Sequence, residues 1–384
     1  MGIIATYEIN RTDRVADIAE KIALELTVGT WTDLPHLERQ QLQAYRGEVV
    51  STSHTDATSR FTIRYPIENV SPDFSSMLTT TFGKLSLDDS VRLIDFELPA
   101  SLSTDFPGAK FGVDGIRDQL GVDDRPLVMS IFKGVIGRDL QFLEQQLRDQ
   151  LAGGIDIVKD DEILYDNPLT PSLERARIGA SVIQEHFNTT GKRALYAITL
   201  SGPVFGLRDQ ALRLIEAGAT ALLFNVYTYG LDALRELAKD PAIRVPILAH
   251  PAFAGALIGS ISHSLLLGKL IRLAGADLTL FPSPYGSLAT PPDEAFAIRD
   301  FSAEPHWSKP ILPVPSAGIH PGLVEDIIRD FGKDVVINAG GGIHGHPDGA
   351  AAGARAFRQA IEQALGQTGR TDALDAALKA WSTR

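Results

Sequence analysis

The sequence predicts an α/β chain: a (β/α)8 TIM barrel preceded by a small α+β, ferredoxin-like N-terminal domain. Three observations carry this. Eight short apolar runs recur from residue 127 onward, and helix-period segments separate most of them. Eight such units over about 250 residues match the count and size of a barrel. The residues before them mix alternating runs with a helical stripe and keep no such rhythm. A chain of 384 residues is also too long for one small domain, at roughly 100–200 residues per domain. The expected division is 1–120 for the N-terminal domain and 121–384 for the barrel with its C-terminal helices.

Taken in order, residues 3–9 alternate like a strand. Residues 13–26 place Val15, Ile18, Ala19, Ile22, Ala23 and Leu26 on one helical stripe. Residues 48–50 and 60–65 read as strands, and Ser71-Pro-Asp73 opens a helix running to about residue 81. Residues 91–98 alternate again. A loop with Pro107, Gly108, Gly112 and Gly115 leads into the barrel. Its strands are expected at 127–132, 155–158, 194–200, 221–226, 245–249, 278–281, 311–314 and 335–337. Intervening helices fall at 140–151, 173–187, 208–217 and 264–274. An open doubly wound sheet fits less well, because no Gly-x-Gly-x-x-Gly follows the first strand.

Composition narrows the function. There is no cysteine, which excludes disulfides, thiolate metal sites and a cysteine nucleophile. Any metal must be held by Asp, Glu, His or a modified Lys. The formal charge of −12, from 48 acidic against 36 basic residues, repels nucleic acid and anionic membranes. No signal-peptide pattern opens the sequence, and no run of about 18 apolar residues spans a membrane. A soluble cytoplasmic protein with a small-molecule substrate is expected.

Barrel chemistry sits at the C-terminal ends of the strands. The first strand leads to Lys133, the fifth to His250-Pro251, the seventh to Ser316-Ala317-Gly318 and the eighth to Gly340-Gly341-Gly342. The second ends in Lys159-Asp160-Asp161-Glu162. Two carboxylates at one mouth suit Mg²⁺, which prefers oxygen ligands, and a lysine joins them only after CO₂ converts its amine to a carbamate. The alternative is a solvated charge run. Three consecutive glycines let backbone N–H groups approach an anion, where barrels commonly bind phosphate, or simply form a tight turn. His344 and His346 read as turn and packing residues. A lysine such as Lys133 at a barrel mouth suits anion binding, proton transfer or Schiff-base chemistry.

Together these segments resemble the RuBisCO large-chain family over nearly the whole chain. Gly153-Gly-Ile-Asp-Ile-Val-Lys-Asp-Asp-Glu162 is similar to its metal motif. The resemblance implies a carbamylated Lys159 with Asp161 and Glu162 as ligands of one Mg²⁺ per subunit. Thr27-Val-Gly-Thr-Trp-Thr32 is similar to the N-terminal active-site segment, implying phosphate contacts from Thr30 and Trp31 and an active-site acid at Glu25. Ser316-Ala-Gly-Ile-His320 and Gly340-Gly-Gly342 are similar to the substrate and phosphate loops. Three departures separate the chain from carboxylases. The stretch 281–288 has no lysine, Pro251 stands where an arginine grips a second phosphate, and Ile131-Phe-Lys133 keeps only the second lysine of a Lys-Pro-Lys segment.

Ser130-Ile-Phe-Lys-Gly-Val-Ile-Gly-Arg-Asp139, Leu280-Phe-Pro-Ser-Pro-Tyr-Gly286 and Phe82-Gly-Lys-Leu-Ser86 resemble the RuBisCO-like enolases of methionine salvage. That likeness implies an Mg-dependent keto–enol tautomerase. It would convert 2,3-diketo-5-methylthiopentyl-1-phosphate to 2-hydroxy-3-keto-5-methylthiopentenyl-1-phosphate, with Lys84 as general base and Lys133 beside it. It also implies CO₂ as lysine modifier and a homodimer whose N-terminal domains close the partner's barrel. A different RuBisCO-like isomerase or decarboxylase, and a Schiff-base aldolase using Lys133 or Lys159, remain alternatives at this point.

Overall fold

The computed structural model describes residues 2–29, 44–55, 57–286 and 288–382. The chain divides into two compact units, 1–107 with 253–270, and 108–252 with 271–384.

The first unit is built on a four-stranded antiparallel sheet: β1 (Gly2–Ile9), β2 (Glu48–His54), β3 (Ser59–Pro66) and β4 (Val91–Glu97), in the order β2-β3-β1-β4. Alternation fixes which face is buried: Ile3, Ala5, Tyr7 and Ile9 of β1 and Phe61, Ile63 and Tyr65 of β3 are inside. The helix Val15–Val28 buries Ala19, Ile22 and Ala23. β2 runs four residues beyond the expected 48–50, because Ser51, Thr52, Ser53 and His54 form an exposed edge with no apolar alternation to read. The helix expected over 71–81 is shorter. It spans Phe74–Leu78, capped by the Asp73 side chain accepting from the Ser76 N–H at 2.6 Å. A single π turn, Thr79–Gly83, then carries the chain to Lys84. The Tyr7 hydroxyl donates to the carbonyl of Thr81 at 2.6 Å and meets the Tyr65 hydroxyl at 2.7 Å, tying that turn to the sheet. Residues 253–270 return to this unit: Ile261 bridges Leu93, and Ser262 donates to the carbonyl of Ile94.

The second unit is the barrel. Its strands are β5 (Leu127–Ile131), β6 (Ile157–Lys159), β7 (Leu195–Thr199), β8 (Ala221–Asn225), β9 (Ile247–His250), β10 (Leu278–Pro282), β11 (Leu312–Ser316) and β12 (Val336–Ala339). They pair in parallel in the order β11-β10-β9-β8-β7-β6-β5-β12. β12 lies against β11, and the Asn338 amide donates to Ser316 Oγ at 2.8 Å across that seam, closing the ring. Inward residues such as Leu127, Met129, Ile157, Leu223, Leu280 and Val336 fill the interior. The helix Gly112–Leu120 adds Val113, Ile116 and Leu120 to the same core, so 108–120 belongs with the barrel rather than with the first unit. Helices Ala350–Ala364 and Asp372–Trp381 end the described chain.

Asp277 anchors the start of β10. Its carboxylate accepts from the N–H groups of Phe111 and Gly112 at 2.7 and 2.9 Å, and from Ile247 at 2.9 Å. Burial pushes its pKa up, while the three N–H groups and Lys110 pull the other way. Asp277→Ala orphans three buried donors and is expected to cost about 3–5 kcal/mol, read as a lower urea midpoint. A midpoint within error of the parent would refute that anchoring role.

Candidate functional site

The C-terminal mouth of the barrel holds a cavity of about 370 Å³. β5, β6 and β9–β12 deliver most of its lining at or just past their C-terminal ends. β6 ends at Lys159, whose side chain is fully buried, with its amine donating to the Asp160 carbonyl at 2.8 Å and lying 3.6 Å from Glu162 Oε2. β5 leads through Phe132 to Lys133, whose amine pairs with Asp161 Oδ2 at 2.6 Å. Gln146 fixes that backbone by donating to the Lys133 carbonyl at 2.7 Å. β9 ends at His250, whose Nδ1 accepts from the Ala252 N–H, so the neutral ring carries its proton on Nε2, 3.4 Å from Glu162 Oε2. Burial, then Lys159, holds the His250 pKa well below the usual imidazole value, which keeps the ring neutral.

Burial lowers the Lys159 pKa to about 8, against the opposing pull of Glu162 and Asp161. Burial pushes the Glu162 carboxyl up, but Lys159 and its other neighbours outweigh this and hold it below the usual range. The donor set contains two carboxylates and an amine at one mouth. Among the described residues no group of three His, Asp or Glu side chains is arranged for a metal ion. Two carboxylates alone are a sparse donor set for Mg²⁺, and a carbamate on Lys159 would add the oxygens that such a site needs.

On the opposite wall, β11 and β12 bring Ser316, Ala317, Gly318 and the glycines 340–342 into the lining. Ala317 holds a φ of 66° and Gly318 one of 71°, so two successive left-handed residues turn this loop, one at a cost a glycine would avoid. A Cβ on Gly342 would lie 2.3 Å from the Ile319 carbonyl, whereas one on Gly341 would meet nothing within 4 Å. The first requires glycine for packing; the second leaves the chain open to a ligand. The short turn Gly341–His344 begins here, and its first N–H groups have no acceptor within the turn itself. Asn338 Oδ1 is buried beside it with no partner among the described residues.

The remaining wall is apolar: Pro251, Leu280, Pro282, Leu288, Ile319 and Trp381. Trp381 comes from the last helix and stacks on His320, with ring centroids 5.5 Å apart and planes 8° from parallel. Spacing gave no hint of Trp381, since a distant helix returns it to the mouth. Leu280 lies in the strand expected at 278–281 and Asn338 just past the one expected at 335–337, and neither was singled out as a site residue.

Lys133, Lys159, Glu162, His250, Ser316, Ala317, Gly318, Gly340 and Gly341 thus line one cavity, with Asp161 joined through Lys133. Lys84 and Glu25 belong to the first unit, where they pair with each other, Glu25 largely buried and Lys84 exposed. Thr30 and Trp31 lie outside the described residues. His344 and His346 bind the carbonyls of Ile131 and Ala373, in keeping with turn and packing roles.

Residues 112–381 match the ribulose bisphosphate carboxylase large chain catalytic domain, and residues 1–102 match its N-terminal domain. The chain is 63% identical over 389 aligned positions to a 2,3-diketo-5-methylthiopentyl-1-phosphate enolase of Exiguobacterium sibiricum, covering 99% of this chain and 98% of that one. It is 54% identical to the protein of that name from Bacillus cereus, over 95% of this chain and 92% of that one. Among solved structures it is similar to a rubisco-like protein (MtnW) from Alicyclobacillus acidocaldarius, with a TM-score of 0.92 and 44% identity, covering 99% and 100% of the two chains. An octameric Rubisco from Pyrococcus horikoshii gives a TM-score of 0.91 at 30% identity, over 98% of this chain and 93% of that one.

Proposed function

The chain belongs to the ribulose bisphosphate carboxylase large-chain family, and on that premise we propose that it is a methionine-salvage enolase. It tautomerises 2,3-diketo-5-methylthiopentyl-1-phosphate to 2-hydroxy-3-keto-5-methylthiopentenyl-1-phosphate and does not fix CO₂. The observation that carries this is 63% identity, over 99% of the chain, to an enolase of that name. The cavity supports it: a polar wall, a glycine loop for one phosphate, and an apolar wall that offers a second phosphate no cation.

In this reading the N–H groups around Gly340 and Gly341 and the Ser316–Gly318 loop hold the phosphate. Pro251, Leu280 and Pro282 receive the apolar methylthio end. Lys159, once carbamylated, would hold Mg²⁺ with Asp161 and Glu162, and the ion would supply Lewis-acid stabilisation of developing negative charge. Burial that lowers the Lys159 pKa to about 8 favours the neutral amine, the form that adds to CO₂, and so supports carbamylation. Lys133, now paired with Asp161, orients that carboxylate and faces the developing negative charge. Lys84 removes the C1 proton, and Glu25 aims its amine. Thr30 and Trp31 add phosphate contacts. The protein acts as a cytoplasmic homodimer; no helix among the described residues is long and apolar enough to cross a membrane.

Incubation with the diketone phosphate, followed by enol absorbance with and without Mg²⁺ and bicarbonate, tests the reading. Absorbance growth dependent on both is expected, and none under any condition would overturn it. With ribulose bisphosphate, incorporation of radiolabelled CO₂ is expected to stay at background, because Pro251 stands where an arginine would grip a second phosphate and the stretch 281–288 carries no lysine. Incorporation above background would refute that exclusion.

A further inference from the structure

Asp160 stands between Lys159 and Asp161, yet it is absent from the cavity lining and completely buried. One carboxylate oxygen accepts from the Tyr196 hydroxyl at 2.5 Å. The other accepts from the Thr199 N–H at 2.9 Å and from Arg175 Nη2 at 3.2 Å. Arg175, on the helix Ser172–Thr190, is also completely buried. Its guanidinium donates to the carbonyls of Leu164 at 3.3 Å and Tyr165 at 3.2 Å, and to that of Thr170. One side chain therefore pins three points of the loop that follows β6 and grips the carboxylate at its start.

A buried ion pair is weak evidence for stability, since apolar residues of similar volume often do as well or better. What apolar residues cannot do is fix the direction of a loop through six directed hydrogen bonds. Asp161 and Glu162 directly follow Asp160 in this loop. Asp160 links the two sides: its side chain is held by the barrel wall, while its carbonyl receives the Lys159 amine at 2.8 Å. A rotation at Asp160 moves the lysine partner and both carboxylates together.

We propose that Asp160, Arg175 and Tyr196 are positioning residues that set the geometry of the divalent-cation site from behind the barrel wall. The proposal rests on the metal reading above. Loosening this network weakens cation binding and carbamate formation, and leaves substrate binding at saturating Mg²⁺ intact. Groups behind metal ligands commonly govern affinity by 10–100-fold when removed.

The test uses Mn²⁺ as the probe, titrated by electron paramagnetic resonance in ¹³C-bicarbonate, with the lysine carbamate followed by ¹³C NMR. Arg175→Lys keeps the charge but cannot reach all its acceptors. Tyr196→Phe removes one donor and keeps the ring packed edge-on against Phe132. Arg175→Lys is expected to raise the Mn²⁺ Kd about 10-fold or more, and Tyr196→Phe several-fold. Both should weaken the carbamate signal, and excess Mg²⁺ should restore kcat with KM for the diketone unchanged. If the parent binds Mn²⁺ and both variants stay within about 2-fold of it, the proposal is overturned while the metal reading stands. If the parent shows neither Mn²⁺ binding nor a carbamate, the metal reading fails and the proposal with it. Should Arg175→Lys not fold, Tyr196→Phe alone decides.

Discussion

Replacing Lys159 with methionine is expected to lower kcat/KM on the order of 10⁴-fold, about 5.5 kcal/mol at 1.36 kcal/mol per tenfold, and to abolish activation by bicarbonate. Lys159 is completely buried, and methionine fills a similar unbranched volume, so the barrel should survive. What disappears is the buried amine that, in the proposed site, a carbamate would turn into an oxygen ligand beside Asp161 and Glu162. Removing it leaves two carboxylates, of which Asp161 is paired with Lys133. Asp161→Asn and Glu162→Gln should act in the same direction. The measurement is enol absorbance after chelation and CO₂ stripping, then after Mg²⁺ and bicarbonate are restored. Full activity in any of the three variants would sink the metal assignment.

The barrel was legible because burial on both faces leaves each strand an apolar run, and eight such runs survive any error at their ends. Those ends were less legible. The second barrel strand was expected at 155–158 and is Ile157–Lys159, because Ile155 and Asp156 are as buried as the strand itself. Asp156 is buried through its pair with Arg125, a partner that no local pattern announces. The same reason hid Arg175: a lysine–aspartate–aspartate–glutamate run reads as exposed charge until an arginine 15 residues from Asp160 is found to bury one member. Lys133, Lys159 and His250 were legible as residues of the barrel mouth because position at a strand's C-terminal end is itself a signal. Lys84 carried no such signal. Its place after a π turn, a feature common at functional sites, comes from packing among Thr79, Thr81 and the buried tyrosines of the sheet.

Lys84→Ala is expected to lower kcat about 10³-fold, within the range for losing a general base, while Mn²⁺ affinity and the carbamate signal stay at parent values. That split follows from the chain's division: Lys84 and Glu25 belong to one compact unit, and Lys159, Asp161 and Glu162 to the other. Exchange of the substrate C1 proton with D₂O, followed by NMR, should fall with kcat, since it reports proton removal directly. Glu25→Gln should cost less, because it loses the carboxylate that aims the amine but keeps the amine. If the first unit of one copy completes the barrel site of its partner, two inactive proteins can repair each other. Mixing Lys84→Ala with Lys159→Ala should then restore about a quarter of the sites: half of the dimers are mixed, and each mixed dimer holds one intact site of two. Subunit exchange is verified by mass spectrometry of tagged chains. Exchange without any return of activity would place the base and the metal ligands in the same copy and overturn the shared-site dimer.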